Sequence, residues 1–177
     1  MKQKIIEIIP VRDAYICDCK PAETNPNGNE KVLFQGRFKE CFDRSLLQWD
    51  LSQLSKDDSI LKAEMQIYQV KLFLYGRKKP GNLIYFPILE PWDDSTVNSD
   101  TAPAYEEKSK IISQWPMKEG WHTVDITAIV KKWHEGILRN YGLFCHSEKT
   151  ESTCVSKFIS SDGIPQKNRP KLIIELK

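Results

Sequence analysis

Eleven short runs of β-favouring residues, each closed by a cluster of Gly, Pro, Asn or Asp, leave this chain little choice of fold. They fall at 4–9, 12–19, 31–38, 42–51, 62–75, 82–88, 109–115, 121–125, 141–147, 153–160 and 171–176. NPNGN (25–29) and RKKPGN (77–82) are the clearest turn signals between them. The longest run, KAEMQIYQVKLFLY, places Ala63, Met65 and Ile67 on one face and then Val70, Leu72 and Leu74 in the opposite phase. Side chains on a strand alternate with period two, so the slip between 67 and 70 predicts a β-bulge or bend.

One segment has the other period. Ile126, Ile129, Val130, Trp133 and Ile137 recur at helical spacing, with Asp125 or Thr127 to cap the start and Gly136 to end it. This predicts one helix of about three turns at about 126–136, lidding the open end of the core. Many strands, long connections and a single short helix indicate an all-β fold, an antiparallel two-sheet sandwich of jelly-roll type. With 177 residues and no internal repeat or long linker, the whole chain (1–177) reads as one domain. Residues 89–108 are the least regular and read as a long surface loop.

Charge and motifs exclude more than they identify. The 26 basic and 24 acidic side chains leave a net charge of +2, which is no nucleic-acid signature. No apolar run approaches a membrane span. The opening MKQKIIEIIP is interrupted by Glu7 and reads as a first strand, not a signal peptide. The G-x-S-x-G, Walker and H-E-x-x-H patterns do not occur. His146 neighbours Cys145, but adjacent strand residues face opposite ways, which is poor geometry for a Cys–His pair. The expectation is that the chain is not an enzyme. Of the five cysteines, Cys17 and Cys19 share a strand face. Cys145 and Cys154 flank EKTE (148–151) and would sit opposite each other in a hairpin, as a disulfide or as two small buried thiols.

The order of motifs carries a resemblance. "PVRDAYI", "NPNGNEKVLFQGR" and "DRSLLQWDLSQL" in the N-terminal third are followed by "PWDDSTVNSDTAPAY", then "GWHTVDITAIVKKWHEGILRNYGLF" and "KFISSDGIPQKNRPKLIIEL". This series resembles the DNRLRE-type β-sandwich domains, which overlap with family 96 of the carbohydrate-binding modules. Trp49 stands where Phe is usual, and the second Trp of the middle motif is missing. The resemblance implies a secreted or surface-attached, non-catalytic β-sandwich, whose carbohydrate-binding branch is associated with alginate-like acidic polysaccharides.

The residues carrying the likeness have architectural roles available. Gly28 permits a positive-φ turn. Trp49 and Trp133 fill the core. Asp50 and Asp125 can accept backbone N–H bonds where strands leave the sheet. Asn140 and Gly142 shape a helix-to-strand corner. Arg44 either pairs with Asp50 or Asp125 or faces a ligand.

For a ligand, Tyr68, Lys71, Phe73 and Tyr75 form an aromatic strip opposite the inward set of strand 62–75 and run into the basic turn at Arg77, with Arg37 and Lys39 ending another strand. Trp92, Tyr105 and Trp115 form a rival platform around the long loop. Asp93, Asp94 and Asp100 supply oxygens for a structural calcium, or belong to an ordinary polar loop. The expected function is a non-catalytic surface or carbohydrate-binding module, with polysaccharide as partner and no obligatory cofactor. The alternative is an envelope or spore-like coat protein acting through protein–protein contacts. The resemblance implies an extracellular or cell-surface location; assembly inside the cell belongs to the alternative.

Overall fold

The structure is a computed structural model that describes residues 3–19, 28, 30–76, 80–148 and 153–177. Its strands are β1 (Lys4–Ile8), β2 (Pro10–Cys17), β3 (Val32–Phe38), β4 (Cys41–Trp49), β5 (Ile60–Tyr75), β6 (Asn82–Pro87), β7 (Ile111–Gln114), β8 (Gly120–Asp125), β9 (Leu143–Ser147), β10 (Thr153–Ile159) and β11 (Lys171–Leu176). Among the described residues the single α-helix, α1, spans Thr127–His134. Every strand pairing is antiparallel. The order β1-β11-β5-β10-β3-β4-β9-β6-β7, with β8 added to β5 and β2 to β4, is one continuous sheet. Because β3 pairs with both β10 and β4, the sheet curls so that its two halves face each other. The all-β fold with one short helix is the expected one. What the sequence does not show is that the two layers are joined edge to edge.

The inner faces meet in one core. Leu47 and Trp49 of β4, Leu83 and Tyr85 of β6 and Leu143 of β9 pack with Met65, Ile67, Phe158, Leu172 and Ile174. Ile129, Val130 and Trp133 of α1 complete the cluster. A second apolar cluster lies on the other face of the β2–β4–β9–β6 half, where Ile16, Leu46, Phe86 and Phe144 receive Trp92 and Val97. The long loop is therefore a cover with its own buried side chains.

The bulge is present. The β5–β10 register shifts between Lys157 and Phe158, which face Lys71 and Gln69 and leave Val70 as the extra residue. Gln69 points inward and is fully buried. Its amide donates to the carbonyls of Pro116 and Lys118 at 2.9 and 2.8 Å. Its oxygen accepts from Ser156 Oγ, which itself accepts from Trp115 Nε1 at 2.7 Å. Every polar atom in this chain of bonds is satisfied, so it pins the 115–118 segment over the core at no desolvation penalty. Trp115→Phe should lower stability by about 1–2 kcal/mol, the range for a buried hydrogen bond whose acceptor is left short. A midpoint in urea unmoved from wild type would exclude this role.

Several expectations are corrected. Helix α1 is about two turns long, because Gly136 at φ 73° ends it; Ile137 is exposed and Leu138 packs in its place. Asp125 accepts from Thr127 N at 2.9 Å, whereas the Thr127 hydroxyl serves β5, accepting from Ala63 N at 2.8 Å. Cys145 and Cys154 do not face each other across a hairpin. β9 pairs with β4 and β6, and β10 with β3 and β5, so the two thiols lie in opposite layers, both buried and free. The disulfide joins Cys19 to Cys41, with Cα atoms 4.8 Å apart. It was hidden because β2 stops at Cys17 and releases Cys19 into a turn.

Arg44 pairs with neither Asp50 nor Asp125. It lies near the start of β4, away from both, meets Asp18 at 3.5 Å and sits 5.8 Å from the Phe144 ring centroid. What the structure shows at Gly28 is close approach, since a Cβ there would overlap the Asp94 carbonyl. Asp50 accepts from Ser52 N at 2.9 Å, and Asn140 joins its side chain to Trp49 O at 2.7 Å and Gly142 N at 3.1 Å. Gly142, at φ 89°, closes that corner against Leu47.

Candidate functional site

Antiparallel pairing decides which side chains share the outer face of the β3–β10–β5–β8 half. Lys157 faces Lys71 on one side and Phe34 on the other; Val155 lies between Phe73 and Gly36, and Thr153 opposite Tyr75. Beyond the bulge Tyr68 stands opposite Trp121. Residues directly opposite in such a ladder project from the same face. Tyr68, Lys71, Phe73 and Tyr75 are thus brought together in one row, about 20 Å long at ~3.3 Å per residue.

The row is open and basic. Tyr75 is 63% exposed and Trp121 41%. The Lys71 ammonium lies 5.0 Å from the Phe73 centroid, and that of Lys171 5.1 Å from the Trp121 centroid. Tyr68 and Trp121 meet edge to face at 5.4 Å. Lys171 also reaches Glu7 at 3.3 Å. Lys71 and Lys157 have no carboxylate partner among the described residues. Two like charges directly across a ladder repel, so the pair is more favourable with an anion over it. Phe34, Trp121, Lys157 and Lys171 were missed by sequence reasoning because they come from four other strands; only the pairing register places them here. Arg77 lies outside the described residues.

The rival platform is not open. Trp92 is only 7% exposed, donates from Nε1 to Tyr141 O at 2.8 Å and has Arg12 5.9 Å from its ring. Tyr105 is half-buried between Phe86 and Phe144, at centroid distances of 4.5 and 5.1 Å. Trp115 is buried in the Gln69 network. All three are packing residues, for the physical reason that a long irregular loop must bury its large rings to hold one conformation.

The acidic loop offers no convergent oxygen set. Asp93 accepts from Ser95 N at 2.8 Å and from its hydroxyl, which holds its carboxyl below the usual carboxylate range. Asp100 gives only its backbone N–H, to Asn98. Asp94 packs against Gly28. Among the described residues no three His, Cys, Asp or Glu side chains could hold a metal ion together. Asp93, Asp94 and Asp100 are thus not gathered into one carboxylate cluster.

His146 lies on the face opposite Cys145, with Nδ1 2.6 Å from Ser147 O and its ring stacked on Phe42. Burial pushes the Cys145 thiol far above the ordinary range, so it stays protonated. Among the described residues no helix is long and apolar enough to cross a membrane.

A second concavity opens where β4 meets α1. It is a cleft of about 590 Å³ lined among others by Trp49, Asp50, Ser52, Lys56, Trp133 and Asn140.

A small antiparallel sandwich that turns a row of rings and ammonium groups to solvent has the form of a ligand-recognition module. The family profile of carbohydrate-binding module family 96 matches residues 4–176, and the chain belongs to that family. Comparison with curated proteins gives no match.

Proposed function

We propose that the protein is a non-catalytic module that holds an acidic polysaccharide, a polyuronate such as alginate, along the outer face of β3, β10, β5 and β8. The observation that carries this reading is the unneutralised Lys71–Lys157 pair set between exposed aromatic rings. Ring faces take the C–H side of sugar residues, and ammonium groups take their carboxylates. The length of the row suits a segment of several residues, so binding is to the chain's interior. Family membership supports the carbohydrate class. An extracellular or surface location is supported by the family and by the Cys19–Cys41 disulfide, since such bonds persist in oxidising compartments.

Affinity electrophoresis and calorimetry with alginate and polygalacturonate test the reading. Phe73→Ala and Tyr75→Ala should each weaken binding roughly tenfold, about the 1.4 kcal/mol expected of one ring contact. Lys71→Ala combined with Lys157→Ala should weaken it further and flatten its salt dependence. Affinities unchanged in all three variants would dismiss this face.

A second reading, assembly through protein contacts, is favoured by one observation. Ile5, Ile9 and Val11 are exposed beside the free edge of β1. Cys145 and Cys154 are interior and cannot serve in such assembly through disulfides.

A further inference from the structure

We infer that the cleft between the end of β4 and α1 is a second carbohydrate site, which takes a single neutral sugar unit rather than an anionic chain. This rests on the reading of the protein as a carbohydrate-binding module but uses no residue of the outer face.

The two indoles that line it differ from the other buried tryptophans. Trp49 is fully buried and Trp133 is 6% exposed, and both line the cleft. Neither Nε1–H has a hydrogen-bond partner among the described residues. Trp92 and Trp115, equally buried, both have one. A buried donor without an acceptor is destabilising by about 1–3 kcal/mol, and native structures seldom tolerate two around one cleft without a reason. Asn140 cannot relieve them, because its side chain is already bonded to Trp49 O and Gly142 N. Gln48 Nε2 donates to Asn140 O at 2.9 Å, and Gln48 Oε1 bonds to neither indole.

The remaining groups at the rim select the ligand. Lys56 and Ser52 are exposed and can donate. Asp50 holds its turn through Ser52 N and Oγ, and those bonds keep its carboxyl below the usual range, so it meets a ligand as an anion. A carboxylate ligand would face that charge. A sugar hydroxyl gives a proton to Asp50 and accepts one from an indole, which is the pairing this mixture of donors and acceptors requires. The volume lies inside the ~300–1,000 Å³ range of small-ligand sites, and aromatic walls with a few polar groups are their usual lining. Both Nε1 atoms are shut off from water, so binding requires the 51–54 turn to move outward. That turn is held by Leu54 N to Leu51 O at 2.9 Å, by the Asp50–Ser52 bonds and by Leu51 and Leu54 resting on the core.

Proton–nitrogen correlation spectra of the intact protein test this without any folding risk. The methyl glycosides of glucose, galactose and mannose are titrated in turn, with indole signals assigned from Trp→Phe variants. At least one glycoside should shift the Trp49 and Trp133 indole signals saturably and leave those of Trp92 and Trp115 in place. Trp49→Phe and Trp133→Phe keep the ring and delete only the N–H side, and each should weaken that glycoside roughly fivefold. The inference is overturned if the Trp49 and Trp133 signals stay put with all three glycosides, or if all four indoles move together. The two sites separate cleanly. Lys71→Ala with Lys157→Ala should leave the glycoside titration unchanged, whereas loss of polyuronate binding with silent indoles would sink the cleft alone.

Discussion

Gly36→Ala should lower stability by about 4 kcal/mol or more, seen as a fall of roughly 10 °C in melting temperature for a chain of this size. Gly36 lies in β3 at φ 135°, a conformation that residues with a Cβ rarely adopt. A Cβ there would also overlap the Cys154 carbonyl, a backbone atom that cannot swing aside, with Val155 Cα behind it. β3 is the strand that joins the two halves of the sheet, through β10 on one edge and β4 on the other. Strain at Gly36 is therefore felt by both layers. Gly120 separates the two causes, because it has nearly the same backbone angle, φ 126°, and open space around its Cα. Gly120→Ala meets only the backbone penalty, about 1–2 kcal/mol. Equal melting temperatures for the two variants would refute close approach as the reason for Gly36.

The second large effect is a pair of opposed pH dependences. Asp13 is 1% exposed on β2, accepts from Ser161 N at 2.6 Å and Oγ at 2.9 Å, and has its carboxyl raised by burial from 3.8 to about 6. The Ser161 bonds oppose that rise and do not overcome it. Since the folded state takes the proton more readily than the unfolded one, Asp13 adds stability as pH falls from 6 to 4 and detracts above that window. His122 of β8 has the reverse sign. Burial lowers its imidazolium from 6.5 to about 4, so the folded state resists protonation and stability is lost over the same fall in pH. Each effect is of the order of 2–3 kcal/mol, the smaller figure for His122 because solvent reaches part of its ring. His146 is shifted in the same direction as His122.

Wild-type stability should accordingly change little between pH 6.5 and 4, as the opposing contributions offset each other. Asp13→Asn keeps a side chain able to bond Ser161 and removes the charge. Its advantage over wild type at neutral pH should shrink by about 3 kcal/mol on acidification. His122→Gln can still bond Ser113, which sits 3.3 Å from Nε2, and should gain on wild type over the same range. Urea titrations at four pH values measure both differences. Parallel curves for wild type and both variants would remove the assignment.

Much of the secondary structure was legible because strand periodicity is a local property. All eleven runs became strands, and the phase slip at 67–70 became the Val70 bulge. The helix was found but drawn too long, since Ile137 matches the period without having anything to pack on. The functional face was half legible. Tyr68, Lys71, Phe73 and Tyr75 follow one another along a single strand, so alternation alone groups them. Lys157, Phe34, Trp121 and Lys171 come from β10, β3, β8 and β11, and no spacing relates them. The rings of the long loop misled because an exposed-looking sequence buried them in a second core.

By itself the sequence determined the number of strands, the place of the helix and the family to which the chain belongs, because these depend on neighbours within a few residues or on an ordered series of motifs. Only the tertiary structure decided that β9 and β10 part into opposite layers, that Cys19 meets Cys41, and that Lys71 faces Lys157. Which strand lies beside which is settled by closing the shared core, a condition on the whole chain that no local pattern records.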